Sequence, residues 1–291
     1  MATAAQWWEG ARPRTLPAAL APVAVGSGVA DLEGSFRPVP ATLALVVALA
    51  LQVGVNYAND YSDGVRGTDD DRVGPFRLTA SGAASPALVK LAAFGSFGVA
   101  AAAGVGLVVI TQTWWLLLVG IACLAAAWFY TGGSNPYGYR GLGEVSVFVF
   151  FGLVAVVGTA YVQTEQLTAL AVAASVPVGL LAVALLVVNN LRDVPTDEAT
   201  GKRTLAVRLG ARRTRTLYAV LLAGSLVGVV VVAVVWTEWA LLALAGYFPA
   251  AVPLGAVVGG AVGRDLIPVL RDTGRTQLLV GLLLGLGLAL G

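Results

Sequence analysis

Histidine is absent from this 291-residue chain, and cysteine occurs once, at Cys123. The first absence removes imidazole bases, Ser-His-Asp machinery and histidine-bound zinc together. The second removes disulfides and thiolate metal clusters. Charge is scarce as well. Asp, Glu, Lys and Arg make up 12% of the residues, where a soluble domain carries about a quarter. The net charge of +2 gives no support for binding nucleic acid. Any metal must be held by oxygen, a donor set that suits Mg²⁺. Lysine occurs only at Lys90 and Lys202, and the excess of arginine over it points to a GC-rich genome rather than to function.

What remains is apolar. Hydrophobic residues make up 58% of the chain and the mean hydropathy is +0.83. Nine hydrophobic spans are expected, near 15–31, 38–60, 86–110, 113–131, 142–162, 167–191, 214–237, 239–260 and 275–291, most of them long enough to cross a bilayer. The expected fold class is all-α: a polytopic membrane bundle of these helices around a central cavity, forming a single domain over 1–291. The opening stretch "MATAAQWWEGARPRTLP" lacks the basic n-region and short apolar h-region of a cleavable signal. Trp7 and Trp8 there read as an interfacial anchor. With the N-terminus in the cytoplasm, every Lys and Arg except Arg37 falls on the cytoplasmic side, as the positive-inside rule asks. Most of the acidic residues fall there too, which topology does not require.

Those acids are patterned. In "NYANDYSDGVRGTDDDRVGP" (56–75), Asn56, Asp60 and Asp63 close the second span at spacing i, i+4, i+7, within roughly 60° of one another on a helical face at ~100° per residue. In "NNLRDVPTDEATGKRTLAVRLG" (189–210), Asn189, Asp193 and Asp197 close the sixth span at i, i+4, i+8. The pair resembles two halves of an internal duplication. Solvated helix ends need no shared Asn-x-x-x-Asp register, and carboxylates at membrane depth usually mark a site. Two facing sets of hard oxygen donors would hold Mg²⁺ together with substrate phosphate oxygens. Arg72, Arg77, Arg192, Lys202 and Arg203 beside them suit the remaining charge of a diphosphate.

These motifs resemble the signature of the intramembrane aromatic prenyltransferase superfamily, N-D-x-x-D-x-x-x-D followed by D-x-x-x-D. The likeness is strongest to the branch that prenylates 1,4-dihydroxy-2-naphthoate in menaquinone formation, and it extends to "ARPRTLPAALAPV" (11–23), "GPFRL" (74–78) and "YTGGSNPYGYRGLGEVSVFVFFG" (130–152). The departures are Tyr57 at the second motif position, Asp63 one place early, and Asn135 where relatives often carry a base. The resemblance implies transfer of a polyprenyl chain from its diphosphate to the naphthoate, with loss of the ring carboxylate as CO₂, at the bacterial cell membrane with the site facing the cytoplasm. It implies Mg²⁺ clamped by Asp60 and Asp193 as the catalytic residues, with Asn56, Asp63, Asn189 and Asp197 completing or orienting the shell. Arg72, Arg77, Arg140, Arg192 and Lys202 would take the diphosphate oxygens. Arg12 would hold the acceptor carboxylate, and Tyr130 and Tyr139 would line the acceptor site.

Blander readings stand beside these. Arg12 serves equally as a topology anchor, and Tyr130, Tyr137 and Tyr139 as interface aromatics. Glu144 reads as a carboxylate at a helix N-terminus, and the run "RLGARRTR" (208–215) as charge facing phospholipid. Asp69, Asp70 and Asp71 read as lid surface, with Asp69 able to reach the metal. Segments 61–85 and 193–213 are expected to close over the site as lids, turning at Gly64, Gly67, Gly82 and Gly201. Two alternatives remain open at this level: another acceptor, such as 4-hydroxybenzoate or homogentisate, and a transporter. Reporter fusions should place 61–85 and 193–213 on the same side of the membrane; opposite sides would rule out a shared site.

Overall fold

The computed structural model describes residues 2–68 and 76–291. Among them, every regular element is a helix. A short α1 (Ala4–Gly10) is capped by Thr3 in a capping box with Gln6 and lies before α2 (Pro17–Leu32), bent 50° from it. Then follow α3 (Pro38–Val65), α4 (Pro86–Thr111) and α5 (Leu116–Phe129). The next span runs as α6 (Gly143–Val147), a π-helical stretch Phe148–Val154, and α7 (Ala155–Thr164). After it come α8 (Ala169–Ala199), α9 (Leu205–Val235), a 3-10 stretch Glu238–Ala250 leading into α10 (Ala251–Val258), and α11 (Leu266–Leu290). Prolines open α2, α3 and α4, where a missing N–H is harmless. Side chains of Ser85, Thr168 and Thr204 cap α4, α8 and α9.

This is a multi-pass membrane protein. Among the described residues seven helices are long and apolar enough to span a bilayer, and eight with the bent α1–α2 pair. The segment expected as a fourth span is the exception. At 14 residues, α5 is about 21 Å long, short of the ~30 Å hydrocarbon core.

Two further expectations need correction. α3 runs on to Val65 and α8 to Ala199, past the expected span ends at 60 and 191, so each acidic motif lies on a helix as expected and the helix continues beyond the expected boundary. Consequently 193–213 is no loose lid: only 200–204 separate α8 from α9, with a break at Gly210 inside α9. Residues 69–75, with Arg72 and the acidic Asp69, Asp70 and Asp71, lie outside the described residues.

The hydrophobic core is split. One cluster is built around α2, α8, α9 and α11 and includes Val25, Leu181, Val229 and Leu284; a smaller one joins α3 and α4 through Tyr57, Leu78, Val89 and Phe97. In the first, helices approach closely because glycines face one another. A Cβ on Gly28 of α2 would stand 2.3 Å from the Gly285 carbonyl oxygen of α11. Such small-residue contacts replace a hydrophobic drive that lipid does not supply. Gly28→Leu should therefore separate α2 from α11 and lower the melting temperature in detergent, by overpacking of about 1–3 kcal/mol or more. An unchanged melting curve would show that the contact does not hold the bundle.

Candidate active site

A cavity of about 1090 Å³ lies between the two cores, walled by α2, α3, α4, α5, α7 and α8. Its polar end is built by the ends of α3 and α8. Asn56, Asn59 and Asp63 come from α3, and Asn189, Asn190, Arg192, Asp193 and Asp197 from α8. Arg77, Tyr130, Tyr139 and Lys202 face the same space from the connecting segments.

Lys202 joins the two motifs. Its ammonium donates to Asp63 Oδ1 at 3.1 Å and lies 4.0 Å from Asp197 Oδ1. It also sits 4.5 Å from the centre of the Tyr139 ring, a cation–π distance. The Tyr139 hydroxyl donates to Asp63. Burial, reinforced by the Asp63 carboxylate, pushes the Tyr139 phenol well above its usual range, so it remains a donor. Gly201, at φ 77°, makes the turn that swings Lys202 back over α8, and Lys202 N donates to Asp197 O at 2.8 Å. The Arg203 amide then donates to Tyr139 O at 2.9 Å, tying this turn to the 137–140 segment.

The other cations differ in commitment. Arg192 forks onto Asp193, with Nε to Oδ1 at 2.7 Å and Nη2 to Oδ2 at 2.8 Å, and reaches Asn189 Oδ1 at 2.9 Å. It orients its own motif. Arg77 is buried, with Nη2 3.9 Å from Asp63 Oδ2. Arg12 adopts a left-handed backbone, φ 53°, and its buried Nε and Nη2 have no hydrogen-bond partner among the described residues. A left-handed backbone and two buried guanidinium nitrogens without a partner, on a cavity wall, are both costly.

Several expected residues sit elsewhere. Asp60, expected as a metal ligand and catalytic residue, is buried off the cavity wall. Its Oδ2 accepts from the Leu78 amide at 2.8 Å and its Oδ1 from the Thr79 amide at 2.9 Å, so it anchors the backbone after α3. Asn56 faces the cavity, but its amide nitrogen is engaged with Ala11 O at 2.8 Å and Thr15 Oγ1 at 2.9 Å. Arg140, expected among the diphosphate ligands, is exposed and off the cavity. Tyr139 and Tyr130 both line the cavity, Tyr139 bonded to Asp63 and Tyr130 edge-on to Tyr137 at 5.5 Å. Glu144 opens α6 and accepts from Asn190 Nδ2 at 3.0 Å. Arg208, Arg212, Arg213 and Arg215 lie off the cavity.

One residue was missed. Asn59 lines the cavity beside Asp63, and its Oδ1 accepts from Thr131 Oγ1 at 2.8 Å. Asn-x-x-x-Asp occurs twice in 56–63, as Asn56/Asp60 and Asn59/Asp63, and the second copy is the one that faces Asn189/Asp193. That signal was present in the sequence.

All the candidate ligands on the wall are oxygen donors: Asn59, Asp63, Asn189, Asp193 and Asp197. Among the described residues no three acidic, His or Cys side chains converge closely enough to hold an ion unaided. The donor set fits an Mg²⁺ that uses one or two carboxylates and takes further oxygens from a phosphate.

Residues 19–265 match the model of the UbiA prenyltransferase family. The chain is 52% identical to 1,4-dihydroxy-2-naphthoate octaprenyltransferase of Mycobacterium tuberculosis, covering 100% of this chain and 99% of that one. To the Escherichia coli protein of the same name it is 39% identical, over 98% and 95% of the two chains. Among solved structures, a UbiA homolog from Archaeoglobus fulgidus bound to GPP and Mg²⁺ has a TM-score of 0.66 at 14% identity, covering 98% of this chain and 100% of that one.

Hydrogen exchange separates the two aspartates of α3. Asp60→Ala removes two charge-assisted bonds of about 1.5–3 kcal/mol each, so the Leu78 and Thr79 amides should exchange markedly faster. Asp63→Ala should leave them protected. Equal protection in both variants would refute the anchoring role.

Proposed function

This chain belongs to the UbiA prenyltransferase family, and from that membership and the shape of its cavity we propose that it transfers a polyprenyl chain from a polyprenyl diphosphate to 1,4-dihydroxy-2-naphthoate, with decarboxylation, forming demethylmenaquinol. The observation that carries the reading is the joining of two acidic helix ends by Lys202 at the polar end of a long apolar cavity. One end suits a diphosphate with Mg²⁺, and the other suits an alkyl chain. Full-length relatives carry the naphthoate activity in their names. A single domain does this work, with the acidic end facing the cytoplasm of a bacterial cell, as the basic residues favour.

The balance of charge supports a diphosphate. Asp63, Asp193 and Asp197 are matched by Arg77, Arg192 and Lys202, so the cluster is formally neutral. Asn59, Asp63, Asn189, Asp193 and Asp197 are the residues that would hold Mg²⁺. When bound, the ion would act as a Lewis acid toward the departing diphosphate, as the GPP- and Mg²⁺-bound homolog supports. Lys202 and Arg77 lie where they would take outer phosphate oxygens as the allylic C–O bond breaks.

The chain then has two further tasks. The apolar walls keep water from the allylic cation, which would otherwise be lost as a prenyl alcohol. Arg12 would hold the acceptor carboxylate against the ring face of Tyr130. Electrons released as CO₂ leaves restore the aromatic ring, so no base has to remove a proton from that carbon. A chain without histidine is equal to this chemistry.

Purified protein given octaprenyl diphosphate, a panel of aromatic acids and Mg²⁺ should prenylate the naphthoate, lose activity with a chelator, and regain it with Mg²⁺. Lys202→Ala should lower donor kcat/KM by roughly ten- to hundredfold, a charge-assisted contact of about 1.5–3 kcal/mol, and spare the acceptor KM. Arg12→Ala should do the reverse. If Lys202→Ala shifts only the acceptor KM, the two assignments are exchanged.

A further inference from the structure

A polar stripe runs along α3 on the cavity wall and ends at Gln52. Asp63, Asn59, Asn56 and Gln52 line the cavity at helical spacing, and beyond Gln52 the stripe continues as Ala48 and Ala44. Gln52 therefore stands at the boundary between the polar end and the apolar remainder, about three turns of helix from Asp63. It is 6% exposed, and its Oε1 is buried without a hydrogen-bond partner among the described residues.

Its neighbours fix which end of the amide is left over. Thr15 Oγ1 donates its single proton to Arg12 O at 2.8 Å, so toward other side chains it can only accept. It accepts from Asn56 Nδ2 at 2.9 Å and from Gln52 Nε2 at 2.8 Å, which fills both lone pairs. Turning the Gln52 amide over would set two oxygens face to face with no proton between them. Holding Thr15 thus needs only the nitrogen. The carbonyl oxygen has no structural task, and a buried carbonyl left unpaired is costly. Thr15 also bonds the turn that carries Arg12, whose buried Nε and Nη2 are without partners too. The cavity wall here offers an unpaired cationic donor and an unpaired neutral acceptor, linked through one hydroxyl.

We infer that Gln52 Oε1 accepts a hydrogen bond from a ring hydroxyl of the acceptor, and that Gln52 selects aromatic acids whose hydroxyl lies away from the carboxylate. The inference rests on the prenyl-transfer reading above, in which Arg12 takes the carboxylate. In 1,4-dihydroxy-2-naphthoate the C1 hydroxyl is next to the carboxylate and donates to it internally. The C4 hydroxyl has no such partner, and must find an acceptor when it leaves water. Gln52 supplies one. A neutral oxygen suits this place, because a second carboxylate would repel the acceptor's own charge. A site so built rejects the analogue lacking the hydroxyl, since its own oxygen is then left buried and unpaired.

The test compares 1,4-dihydroxy-2-naphthoate with 1-hydroxy-2-naphthoate, which lacks only the C4 hydroxyl. Binding is measured by calorimetry in detergent under nitrogen, with Mg²⁺ and inorganic diphosphate present and no prenyl donor. Wild-type protein should prefer the dihydroxy acid by roughly tenfold or more. In Gln52→Met, which keeps the length of the side chain and removes its oxygen, that preference should disappear. A residue that only positioned Thr15 and Arg12 would, when replaced, weaken both acids equally and leave the preference intact. That result, unchanged binding in the variant, or a wild-type protein without the preference overturns the assignment. If Gln52→Met melts early, Gln52→Asn decides. Its amide is one methylene shorter and withdraws the oxygen, so the preference should fall there as well, and a retained preference overturns the assignment. The prenyl-transfer reading fails separately, as wild-type protein that binds the dihydroxy acid but transfers no chain to it from octaprenyl diphosphate; the binding ratio then still decides Gln52. Wild-type protein that binds neither acid removes both.

Discussion

The structure depends on one ammonium group. Lys202 stands between Asp63 at the end of α3 and Asp197 at the end of α8, and so joins the two halves of the bundle through opposite charge. Buried carboxylates at the ends of apolar helices are tolerable only with a counter-charge and satisfied hydrogen bonds. Tyr139 supplies the second requirement from its hydroxyl and flanks the lysine with its ring. Without this cluster the ends of α3 and α8 would repel across the cavity. With it they converge, leaving room for charge that arrives with a substrate.

Around the cluster lies a second set of polar residues whose work is to hold backbone. Asn56 and Gln52 reach from α3 to Thr15, and Asn56 also to Ala11, which fixes the turn that carries Arg12. Asp60 fixes Leu78 and Thr79, and so places the neighbouring Arg77 beside Asp63. Buried polar side chains bonded to backbone and to one another rigidify a site. Each of these residues is therefore one bond away from a cation on the cavity wall, and losing one would misplace that cation.

Much of this was legible in the sequence. The apolar runs, the paired Asn-x-x-x-Asp motifs and the flanking bases mark a helical membrane bundle with an acidic site, and Asp63, Asn189, Asp193, Asp197, Arg77, Arg192 and Lys202 do meet at one cavity. Which face of α3 turns inward was not legible. Asp60 and Asp63 are separated by about 60° around the helix at ~100° per residue, and packing of Tyr57 and Leu78 in the smaller core decides that Asp63 is the one presented. Periodicity defines a face only to that width. Arg140 misled for a related reason: loop residues have no period, and being near Tyr139 in sequence says nothing of direction. The short α5 was hidden because hydropathy continues through Trp114 and Trp115, outside the helix proper.

The split core and the neutral cluster have a common consequence. A cavity between two cores has no apolar side chain filling it, so its stability must come from walls packed on their outer faces, as glycine contacts pack α2 on α11. The polar end cannot be left empty in the same way, because unpaired carboxylates there would each demand desolvation. Lys202 and Arg77 meet that demand from within the chain. In the proposed reaction both cations are also the groups that turn to phosphate oxygens, and Asp63, losing their company, is then free to face a metal ion. In that reaction the same pairs that make the resting site tolerable in a membrane would also hold its charges within reach of the substrate.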